Sequence, residues 1–499
     1  MYAFGSRGNT GPNFNLLLLI ISQLGLHTVE GVWPLPQALA SSAERYSLNP
    51  QAFDFAYGKR SAAQQGCSVL DAAFKRYFTL IFQDYTSAND VLQLSEDKPF
   101  TVEVSVDHDD CESYPKEDSS EKYNMRVSAG QALLNAETVW GAVRGLETFS
   151  QLVYQDDSGS YFVNKTEIDD FPRFQFRGIL LDTSRHYLPV QAILKTLDAM
   201  AYSKFNVLHW HIVDDPSFPY QSYTFPDLSS KGAFHPVTHI YTQSEVRRVI
   251  SFARLWGIRV LPEFDSPGHT KSWGKGQSNL LTPCYRGGTP SGGDEVDFSC
   301  WRSNPTVRSF MQKMRFGVDF TKLQAFYMEN IVNITSALNK TSVVWQDVFD
   351  YHKRRSSLSV VEVWREGCYL CEVRKVTKAG LRVILASPWY LDQAGPKHNW
   401  ARYYSVWPLA FKGSEEQKKL VIGGEVCMWG EYVDATNLAP RLWPRASAAA
   451  ERLWSDEKQT SSVAKAFPRL QDFRCMLLRR GIQAEPLTIG HCQHEYLGV

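Results

Sequence analysis

The sequence has no excess of charge of either sign. Its 53 lysine and arginine residues balance its 53 aspartate and glutamate residues over 499 positions, so the whole chain has no net attraction for nucleic acid or an anionic membrane. After residue 30 no apolar run is long enough to cross a bilayer, and no glycine-rich phosphate loop follows the first strand of the parallel region. These absences leave a globular protein that can bury a large core in two or more domains.

A short apolar segment near the amino terminus predicts entry into the secretory pathway. Arg7 precedes an apolar run at residues 16–21, and a small residue, Gly31, lies beyond it. The run is too short to span a bilayer, so we predict a cleaved signal peptide over residues 1–31. Sequons for N-glycosylation begin at Asn164, Asn333 and Asn339, and they take effect only on that route. In an oxidising compartment the nine cysteines predict disulfides and one odd thiol.

The hydrophobic pattern divides the rest of the chain into two regions. Residues 32–171 mix helical periodicity at 68–82 and 137–154 with alternating strands such as 100–106, which predicts a small α+β domain. Residues 172–499 alternate apolar strands with helices, and polar or aromatic residues close nearly every strand. We therefore predict an α/β catalytic domain, a (β/α)8 TIM-type barrel with its site at the carboxyl ends of the strands. A doubly wound open sheet is the structural alternative.

One barrel strand is missing from this pattern. Strand-like runs occur at seven places, which are residues 178–182, 207–214, 258–265, 343–345, 360–364, 383–386 and 421–429. Residues 267–293, between the third and fourth runs, contain only one notable apolar pair, Leu280-Leu281. A strand that is buried on both faces needs roughly four to eight mostly apolar residues. We therefore predict a barrel from which one β/α unit is absent.

Two adjacent carboxylates, Asp294 and Glu295, follow the glycine pair Gly292-Gly293 and are the best candidates for catalysis. Neighbours in a regular strand point to opposite faces, so both can serve one cleft only where a strand ends and glycine lets the backbone bend. A carboxylic acid at the mouth of a barrel suits glycoside hydrolysis, in which it protonates the leaving oxygen. The alternative is a solvated acidic turn.

Other residues at strand ends suggest a sugar site. Arg185 follows the first strand and can donate to vicinal hydroxyls, or else form a salt bridge at the barrel rim. Asp392 and Glu431 can bind sugar hydroxyls, with surface solvation as the alternative. Aromatic residues at or just past four strand ends indicate a cage around a small substrate group, and they are Trp345, Trp364, Tyr390 and Trp429.

A metal-dependent barrel hydrolase is the main mechanistic rival. His209 and His211 lie two apart on one strand face, a spacing that metal sites use, with Asp214, Asp215 and His269 within reach. No further histidine or cysteine ends a later strand to complete a metal shell. We therefore expect these histidines to donate hydrogen bonds to carboxylates or backbone, and we expect neither a metal nor a cofactor.

Cys368 and Cys371 have the spacing of a redox motif. No thioredoxin-like sequence context surrounds them, so we interpret the pair as a peculiarity of a loop.

Four long motifs carry a resemblance to a known family. They are HWHIVDD at residues 209–215, EFDSPGHT at 263–270, GGDEVD at 292–297 and CMWGEYVD at 427–434. These motifs closely resemble those of the lysosomal β-N-acetylhexosaminidases, glycoside hydrolase family 20. The resemblance runs from about Trp33 to the carboxyl terminus and is nearest to the α-type subunit.

The resemblance implies a retaining mechanism in which the 2-acetamido oxygen of the substrate attacks its own anomeric carbon. Glu295 would protonate the leaving oxygen and then activate water, and Asp294 would orient the acetamido N–H. Tyr390 would donate to the acetamido oxygen. The remaining implied roles are packing around the acetamido methyl group by Trp345, Trp364 and Trp429, hydroxyl binding by Arg185 and Glu431, and support of Glu295 by Asp214 and His269.

The resemblance also implies partners and cross-links. The substrates would be terminal N-acetylglucosamine and N-acetylgalactosamine residues of gangliosides, glycoproteins and glycosaminoglycans, processed in the lysosome. Homo- or heterodimers with a related subunit and a lipid-presenting activator protein are expected, and nucleic acid is not. The implied disulfides are Cys67–Cys111, Cys284–Cys300 and Cys475–Cys492, which leave Cys427 and the Cys368/Cys371 pair.

The chain departs from the family pattern at two places. Asp392-Gln393 stands where the α subunit has an Asn-Arg pair that favours sulfated sugars, so that preference is open. Family members also have a longer segment, with a helix and a barrel strand, where residues 287–293 here join directly to the acidic pair. The alternative function is therefore a catalytically impaired isoform that acts only as a subunit or as a glycan-binding protein.

Overall fold

Two β-sheets organise the chain. The computed structural model describes residues 31–85, 99–285, 296, 298–351, 360–393, 395 and 399–492, so the predicted signal peptide lies outside the described residues except for Gly31. The first sheet contains β1 (Ala38–Leu48), β2 (Phe53–Tyr57), β3 (Phe100–Val106), β4 (Tyr123–Ser128), β5 (Gln131–Ala136), β6 (Tyr154–Gln155) and β7 (Tyr161–Asp170). The second contains β8 (Phe176–Asp182), β9 (Val207–Val213), β10 (Arg259–Phe264), β11 (Val343–Trp345), β12 (Val360–Val363), β13 (Arg382–Leu385) and β14 (Val421–Met428).

Helices connect the strands of the second sheet and cover the first. They are α1 (Ser68–Ile81), α2 (Val139–Leu152), α3 (Val190–Tyr202), α4 (Asp227–Gly232), α5 (Gln243–Arg254), α6 (Trp273–Gly276), α7 (Phe298–Ser303), α8 (Pro305–Lys313), α9 (Phe320–Ala337), α10 (Gln346–Tyr351), α11 (Tyr369–Lys378), α12 (Trp400–Tyr404), α13 (Glu415–Lys419), α14 (Leu438–Leu442), α15 (Arg445–Trp454) and α16 (Val463–Arg479). Among the described residues, no helix combines the length and the apolar character that a membrane span requires.

The first sheet is a mixed sheet in the strand order β1-β7-β4-β5-β3-β2. Strands β3 and β4 alternate strictly between buried and more exposed residues, which is the pattern of a sheet with one covered face. Helices α1 and α2 pack together, and α2 also contacts β3, β4 and β5. This arrangement is the α+β fold that the alternating pattern of residues 32–171 predicts.

The second sheet is entirely parallel and curls in the order β10-β9-β8-β14-β13-β12-β11. Strands β8 and β9 are buried at every residue, because inward side chains fill the sheet interior and helices cover its outer face. The prediction of a TIM-type barrel preceded by a smaller α+β domain is confirmed.

As far as the structure describes the chain, the curled sheet is open between β10 and β11. Neither strand has a second pairing partner within the described part of the chain. Strand β10 is only half-buried, and the Phe264 side chain is 40% exposed. A cavity of about 230 Å³, lined by Leu261 and Val343 and by Met328 and Ile331 of α9, lies in this gap. We refer to this gap as the seam; it falls where the sequence count places the absent unit.

Side chains that point into the barrel change character from bottom to top. The lowest cluster is apolar and comprises Phe176, Val207, Val360 and Ile384, with Leu261, Val343 and Ile422 packed against it. Ionisable residues follow at the next inward positions. His209, Glu263 and Glu362 each lie two residues after a member of that cluster, and Glu425 lies three residues after Ile422. The uppermost cluster packs Trp345, Trp364, Tyr390 and Trp429 against Leu180, Ala386 and Cys427.

A buried ionic cluster joins the first domain to the barrel. Glu121 accepts hydrogen bonds from Arg144 Nε of α2 at 2.7 Å and from Arg177 Nη2 of β8 at 2.6 Å. Arg144 also donates to the backbone carbonyls of Trp256 and Gly257, just before β10. The three charged side chains are almost fully buried. These contacts fix the position of the barrel relative to the first sheet.

The disulfides include the three pairs that the resemblance implies. Bonds link Cys67 to Cys111, Cys284 to Cys300 and Cys475 to Cys492, and a fourth links Cys368 to Cys371. Cys427 is a free, buried thiol at the end of β14. Of the sequon residues, Asn333 and Asn339 are exposed, whereas Asn164 is buried and accepts a hydrogen bond from the Tyr154 hydroxyl at 2.9 Å.

Candidate active site

A cup-shaped cavity of about 300 Å³ lies at the carboxyl ends of the barrel strands, and we call it the cup. Eight of the predicted substrate-binding residues line it, namely Arg185, His269, Trp345, Trp364, Tyr390, Asp392, Trp429 and Glu431. His211, Asp265, Gln393 and Tyr432 complete the lining. Asp214, the ninth predicted residue, is buried and contacts three of the lining side chains, Arg185, His211 and His269. The volume suits one sugar-sized group.

Aromatic rings form most of the apolar wall of the cup. The ring centroid of Trp429 lies 5.9 Å from that of Trp345 and 6.3 Å from that of Tyr390. Two indole N–H groups donate to buried or half-buried carboxylates, Trp345 to Glu263 at 2.7 Å and Trp364 to Asp347 at 2.8 Å. These hydrogen bonds fix the ring orientations, so the wall is formed before any ligand enters.

Arg185 is held by carboxylates and still faces the cup. Its Nη1 lies 3.1 Å from Asp182 Oδ2, and its Nη2 lies 2.9 Å from Asp214 Oδ2. Burial alone would lower the pKa of Arg185, but the charges of Asp182 and Asp214 raise it above the usual value. Nη2 also lies 3.9 Å from Glu431 Oε1, another lining residue of the cup. Arg185 therefore forms the salt bridge at the barrel rim and also lines the cup, so the two alternatives for this residue are compatible.

Asp214 connects Arg185 to the histidines of the cup. His269 Nδ1 lies 3.0 Å from Asp214 Oδ1, and His211 Nε2 lies 2.7 Å from Asp214 Oδ2. Burial opposes ionisation of Asp214, but hydrogen bonds from His211 and His269 hold its pKa well below the usual range. Asp214 is therefore a fixed negative charge that orients His269 towards the cup.

The chain of charges continues into the barrel. Glu263 Oε2 lies 2.6 Å from His211 Nδ1 and 2.9 Å from His209 Nε2, and His209 Nδ1 lies 2.7 Å from Glu425 Oε1. Burial lowers the pKa of His211, but Glu263 and Asp214 outweigh it and raise that pKa to about 10. Burial and the neighbouring charge of Glu425 raise the pKa of Glu362 well above its usual value. Burial therefore favours the neutral form of Glu362.

Within the described parts of the chain, two groups of side chains are close enough to hold a cation. They are His209 with Glu362 and Glu425, and His211 with Asp214 and Asp265, and their possible ligand atoms lie within 4.8 Å of one another. Both ring nitrogens of His209 and of His211 face carboxylate oxygens at hydrogen-bond distance. Each ring would have to lose a proton before it could bind a metal.

Several residues of this network escaped the sequence reasoning. Glu263, Glu362 and Glu425 are glutamates within otherwise apolar parallel strands, and Asp182 ends β8. A charged residue in a strand that is buried on both faces is itself a signal, because such strands are otherwise almost wholly apolar. Gly178 adds a second signal, since a Cβ there would lie 2.5 Å from Glu425 Oε2.

Asp294 and Glu295 lie outside the described residues. The segment that contains them is bracketed by the Cys284–Cys300 disulfide, whose Cα atoms are 4.4 Å apart. A cavity beside this bond is lined by Cys300 and by Ser266, Pro267 and Thr270, which belong to the loop that carries His269. Cys300 therefore lies near the loop that carries His269.

The fold and the cup define a β/α-barrel enzyme with a preformed site for one sugar-sized group. Comparison with known families is specific. The catalytic-domain model of glycosyl hydrolase family 20 matches residues 174–291 and 288–457, and a beta-acetyl hexosaminidase-like model matches residues 32–152. The chain belongs to glycosyl hydrolase family 20.

Curated relatives match over nearly the whole chain. The alpha subunit of beta-hexosaminidase from Bos taurus is 50% identical over 520 residues, covering 96% of this chain and 98% of that protein. The beta subunit from Homo sapiens is 48% identical over 502 residues, covering 93% of this chain and 90% of that protein. The Bos taurus alignment is longer than the 499 residues of the chain, so the relative has residues without a counterpart here.

Solved structures show the same fold. The chitobiase of Flavobacterium johnsoniae has a TM-score of 0.77 at 25% identity, covering 91% of this chain and 73% of that chain. The beta-N-acetylhexosaminidase of Bacteroides fragilis has a TM-score of 0.71 at 19% identity, covering 91% and 97% of the two chains. The second likeness supports the fold alone.

Proposed function

We propose that the chain hydrolyses terminal, non-reducing N-acetylhexosaminides by the substrate-assisted retaining mechanism of its family. The observation that carries the proposal is the preformed aromatic cup, whose lining combines three indoles and the Tyr390 ring with Arg185 and Glu431. Its apolar wall suits an acetamido methyl group, and the charged side suits sugar hydroxyls. Membership of the family supports the reaction type.

Each step of the proposed reaction is assigned to a particular residue of the chain. Tyr390 donates to the acetamido oxygen while that oxygen attacks the anomeric carbon, and Asp294 accepts from the acetamido N–H. Glu295 protonates the leaving oxygen, then takes a proton from the water that opens the cyclic intermediate. Asp214 and His269 support Glu295, which the link between Asp214 Oδ1 and His269 Nδ1 at 3.0 Å favours. No step requires a metal ion.

We infer a preference for neutral over sulfated sugars. Asp392 and Gln393 line the cup together with Glu431, so two carboxyl groups and one amide stand in this part of the wall. Burial raises the pKa of Asp392 to about 6, with the charge of Glu431 as a smaller cause. At lysosomal acidity Asp392 would be largely neutral, and near neutrality it would repel an anionic ligand.

The relatives suggest partners and a location. They are alpha and beta subunits of beta-hexosaminidase, so we propose a homodimer or a heterodimer with a related subunit. Gangliosides, glycoproteins and glycosaminoglycans are the proposed substrates, with a lipid-presenting activator protein for the first. We also propose a lysosomal location, which the predicted signal peptide supports.

An aryl N-acetylglucosaminide and the matching aryl glucoside test the reaction. We expect turnover of the first and none of the second, because only the first carries the attacking acetamido group. Equal turnover of both would exclude substrate assistance. Chelation followed by dialysis should leave the rate unchanged, and loss of activity with about one metal ion per chain would instead support the metal-dependent rival.

The seam favours a second candidate function. Strands β10 and β11 each have one unpaired edge within the described residues, and both contribute to the network below the cup. A displacement of about 1 Å at a catalytic group can cost roughly a hundredfold in rate. A catalytically impaired isoform that acts as a subunit or a glycan-binding protein is thus the alternative, and turnover of neither aryl substrate, with retained sugar binding, would support it.

A further inference from the structure

Cys368 and Cys371 form a disulfide in the first turn of α11. Cys368 is the N-cap residue, and its carbonyl accepts from the backbone N–H of Cys371 at 2.9 Å and of Glu372 at 3.2 Å. The interpretation of this pair as a loop peculiarity is therefore wrong. The motif lies where the chain passes from a buried parallel strand, β12, into helix α11. The helical pattern after Cys368 is too short for the sequence to indicate this helix.

This disulfide is more exposed than the others in the described chain. Both of its cysteines are exposed. Each of the other three bonds has at least one buried cysteine, and these are Cys67, Cys111, Cys300 and Cys492. Thiol–disulfide exchange requires that an attacking thiolate reach a sulfur, so access favours reaction at Cys368–Cys371.

The loop that this bond closes is also the shortest of the four. Its cysteines are 3 residues apart, against 44, 16 and 17 for the other pairs. A cross-link stabilises a fold largely by restricting the unfolded chain, and the effect grows with the length of the closed loop. Opening this bond therefore removes less stability than opening any of the others.

The helix terminus favours the reduced state of its own cysteine. The positive end of the helix dipole favours negative charge at the N-cap, which is where a Cys368 thiolate would lie. Glu372 adds a negative charge in the first turn, but its carboxylate is paired with Lys375 Nζ at 3.1 Å.

We propose that Cys368–Cys371 is an exchangeable disulfide, reduced and reformed by low-molecular-weight thiols of the glutathione class while the fold stays intact. A thiolate attacks Cys368 Sγ, the S–S bond breaks, and Cys371 leaves as a thiolate that takes up a proton. A second thiolate then attacks the outer sulfur of the mixed disulfide and releases the Cys368 thiolate. Two thiols are oxidised to one disulfide, and the protein disulfide gains two electrons and two protons.

The exchange site lies close to the cup along the chain. Trp364, which lines the cup, precedes Cys368 by four positions, and Arg365 between them accepts from Ser387 Oγ at 3.0 Å through its carbonyl. The site is nevertheless defined without reference to hydrolysis, so its test needs no enzymatic activity.

A redox titration of the full chain tests the proposal. The folded protein is equilibrated at pH 7 with glutathione mixtures of increasing reducing strength, quenched with acid, alkylated and mapped by mass spectrometry. We expect at least about tenfold more labelling at Cys368 and Cys371 than at the six other bonded cysteines, with unchanged tryptophan fluorescence. The proposal would be overturned if Cys368 and Cys371 were labelled only when the six other bonded cysteines are labelled too. It would also be overturned if they were labelled only when the fluorescence shows that the protein has unfolded.

Two variants test the exchange without comparing the labelling of different cysteines. Cys371→Ser should trap a mixed disulfide with glutathione at Cys368, and recovery of this variant with a free, unmodified Cys368 under oxidising glutathione contradicts exchange. The double variant Cys368→Ser/Cys371→Ser should melt within a few degrees of the parent chain. Cys475→Ser is the matched control, because it opens a bond that closes a longer loop, and it should lower the melting temperature further.

Discussion

At the residue scale, the charges inside the barrel neutralise one another. His209 and His211 each lie between two carboxylates, with Glu263 shared by both rings, and these carboxylates raise the pKa of both histidines against the opposing effect of burial. A buried charge that loses its partner is costly, so such a network is stable only when every member is satisfied. The network therefore links the shape of the cup to the protonation of residues below it.

The stability of the fold should depend on the protonation of His211. Its pKa is raised from 6.5 to about 10, so this residue stabilises the folded state fully below pH 6.5 and loses that effect as the pH rises to about 10. We expect the melting temperature to fall over this window. In His211→Gln the melting temperature should fall less steeply with pH than in the parent chain. In the control His235→Gln, which changes an exposed histidine, it should fall as in the parent chain. Parallel pH profiles for all three proteins would contradict this assignment.

Loss of the proposed general acid should reduce turnover far more than it reduces binding. We expect Glu295→Gln to slow hydrolysis of aryl N-acetylglucosaminides by roughly 10²–10⁴-fold. The loss should shrink with better leaving groups, since these need less protonation. Asp294→Asn should stay slow with every leaving group, because its proposed partner is the acetamido N–H. The exposed Glu416→Gln is the control, and parental rates in either test variant would mean that the site is misplaced.

At the scale of elements, the seam is the weakest part of the barrel. The free edges of β10 and β11 leave backbone N–H and C=O groups without strand partners among the described residues. An unsatisfied buried group costs about 1–3 kcal/mol, and a domain has only about 5–15 kcal/mol of stability in total. Half-burial of β10 lets water satisfy some of these groups, at the expense of apolar packing.

Restoring the absent unit should strengthen the fold. We expect the chain as written to be retained in the secretory pathway and weakly active or inactive. A version with a family-length insert between Gly288 and Gly292 should be secreted, melt at a higher temperature and turn over faster. Hydrogen exchange at the amides of β10 and β11 should slow in that version, while exchange at β8 stays the same.

Equal secretion, melting and turnover of the two versions would refute the strand count. In that case residues 266–293 would supply a strand that their composition does not reveal. An insert of equal length made only of glycine and serine is the matched control, because it lengthens the connection without offering apolar side chains to the seam.

At the scale of the whole molecule, buried carboxylates link the two domains, and Glu121 is one of them. We expect Glu121→Gln to lower the free energy of unfolding by roughly 3–5 kcal/mol, because Arg144 and Arg177 would each lose their buried counter-charge. Glu167→Gln removes an exposed ion pair with Arg126 and should change stability by less than about 1 kcal/mol. Chemical denaturation measures both. If Glu121→Gln and Glu167→Gln had similarly small effects, the contact between the two domains would depend on packing and not on this ionic cluster.

Much of the architecture follows from local pattern. The period-two alternation of β3 predicts a sheet with one covered face, and the apolar strands that end in polar or aromatic residues predict a parallel barrel. The aromatic residues of the cup are recognisable because they end strands, and the carboxyl ends of parallel strands meet at one edge. The count of seven strands agrees with the described residues because a buried strand needs an apolar run that composition reveals directly.

The sequence by itself determined the fold class, the ring of residues at the strand ends and the family, since each depends on local periodicity or contiguous motifs. Only the tertiary structure decided which charges meet. Glu263, Glu362 and Glu425 come from three strands, and Cys368–Cys371 gains its significance from exposure and from the helix that begins there. Pairing, burial and pKa depend on distances between residues far apart in sequence, and those distances are fixed only when the chain closes around its core.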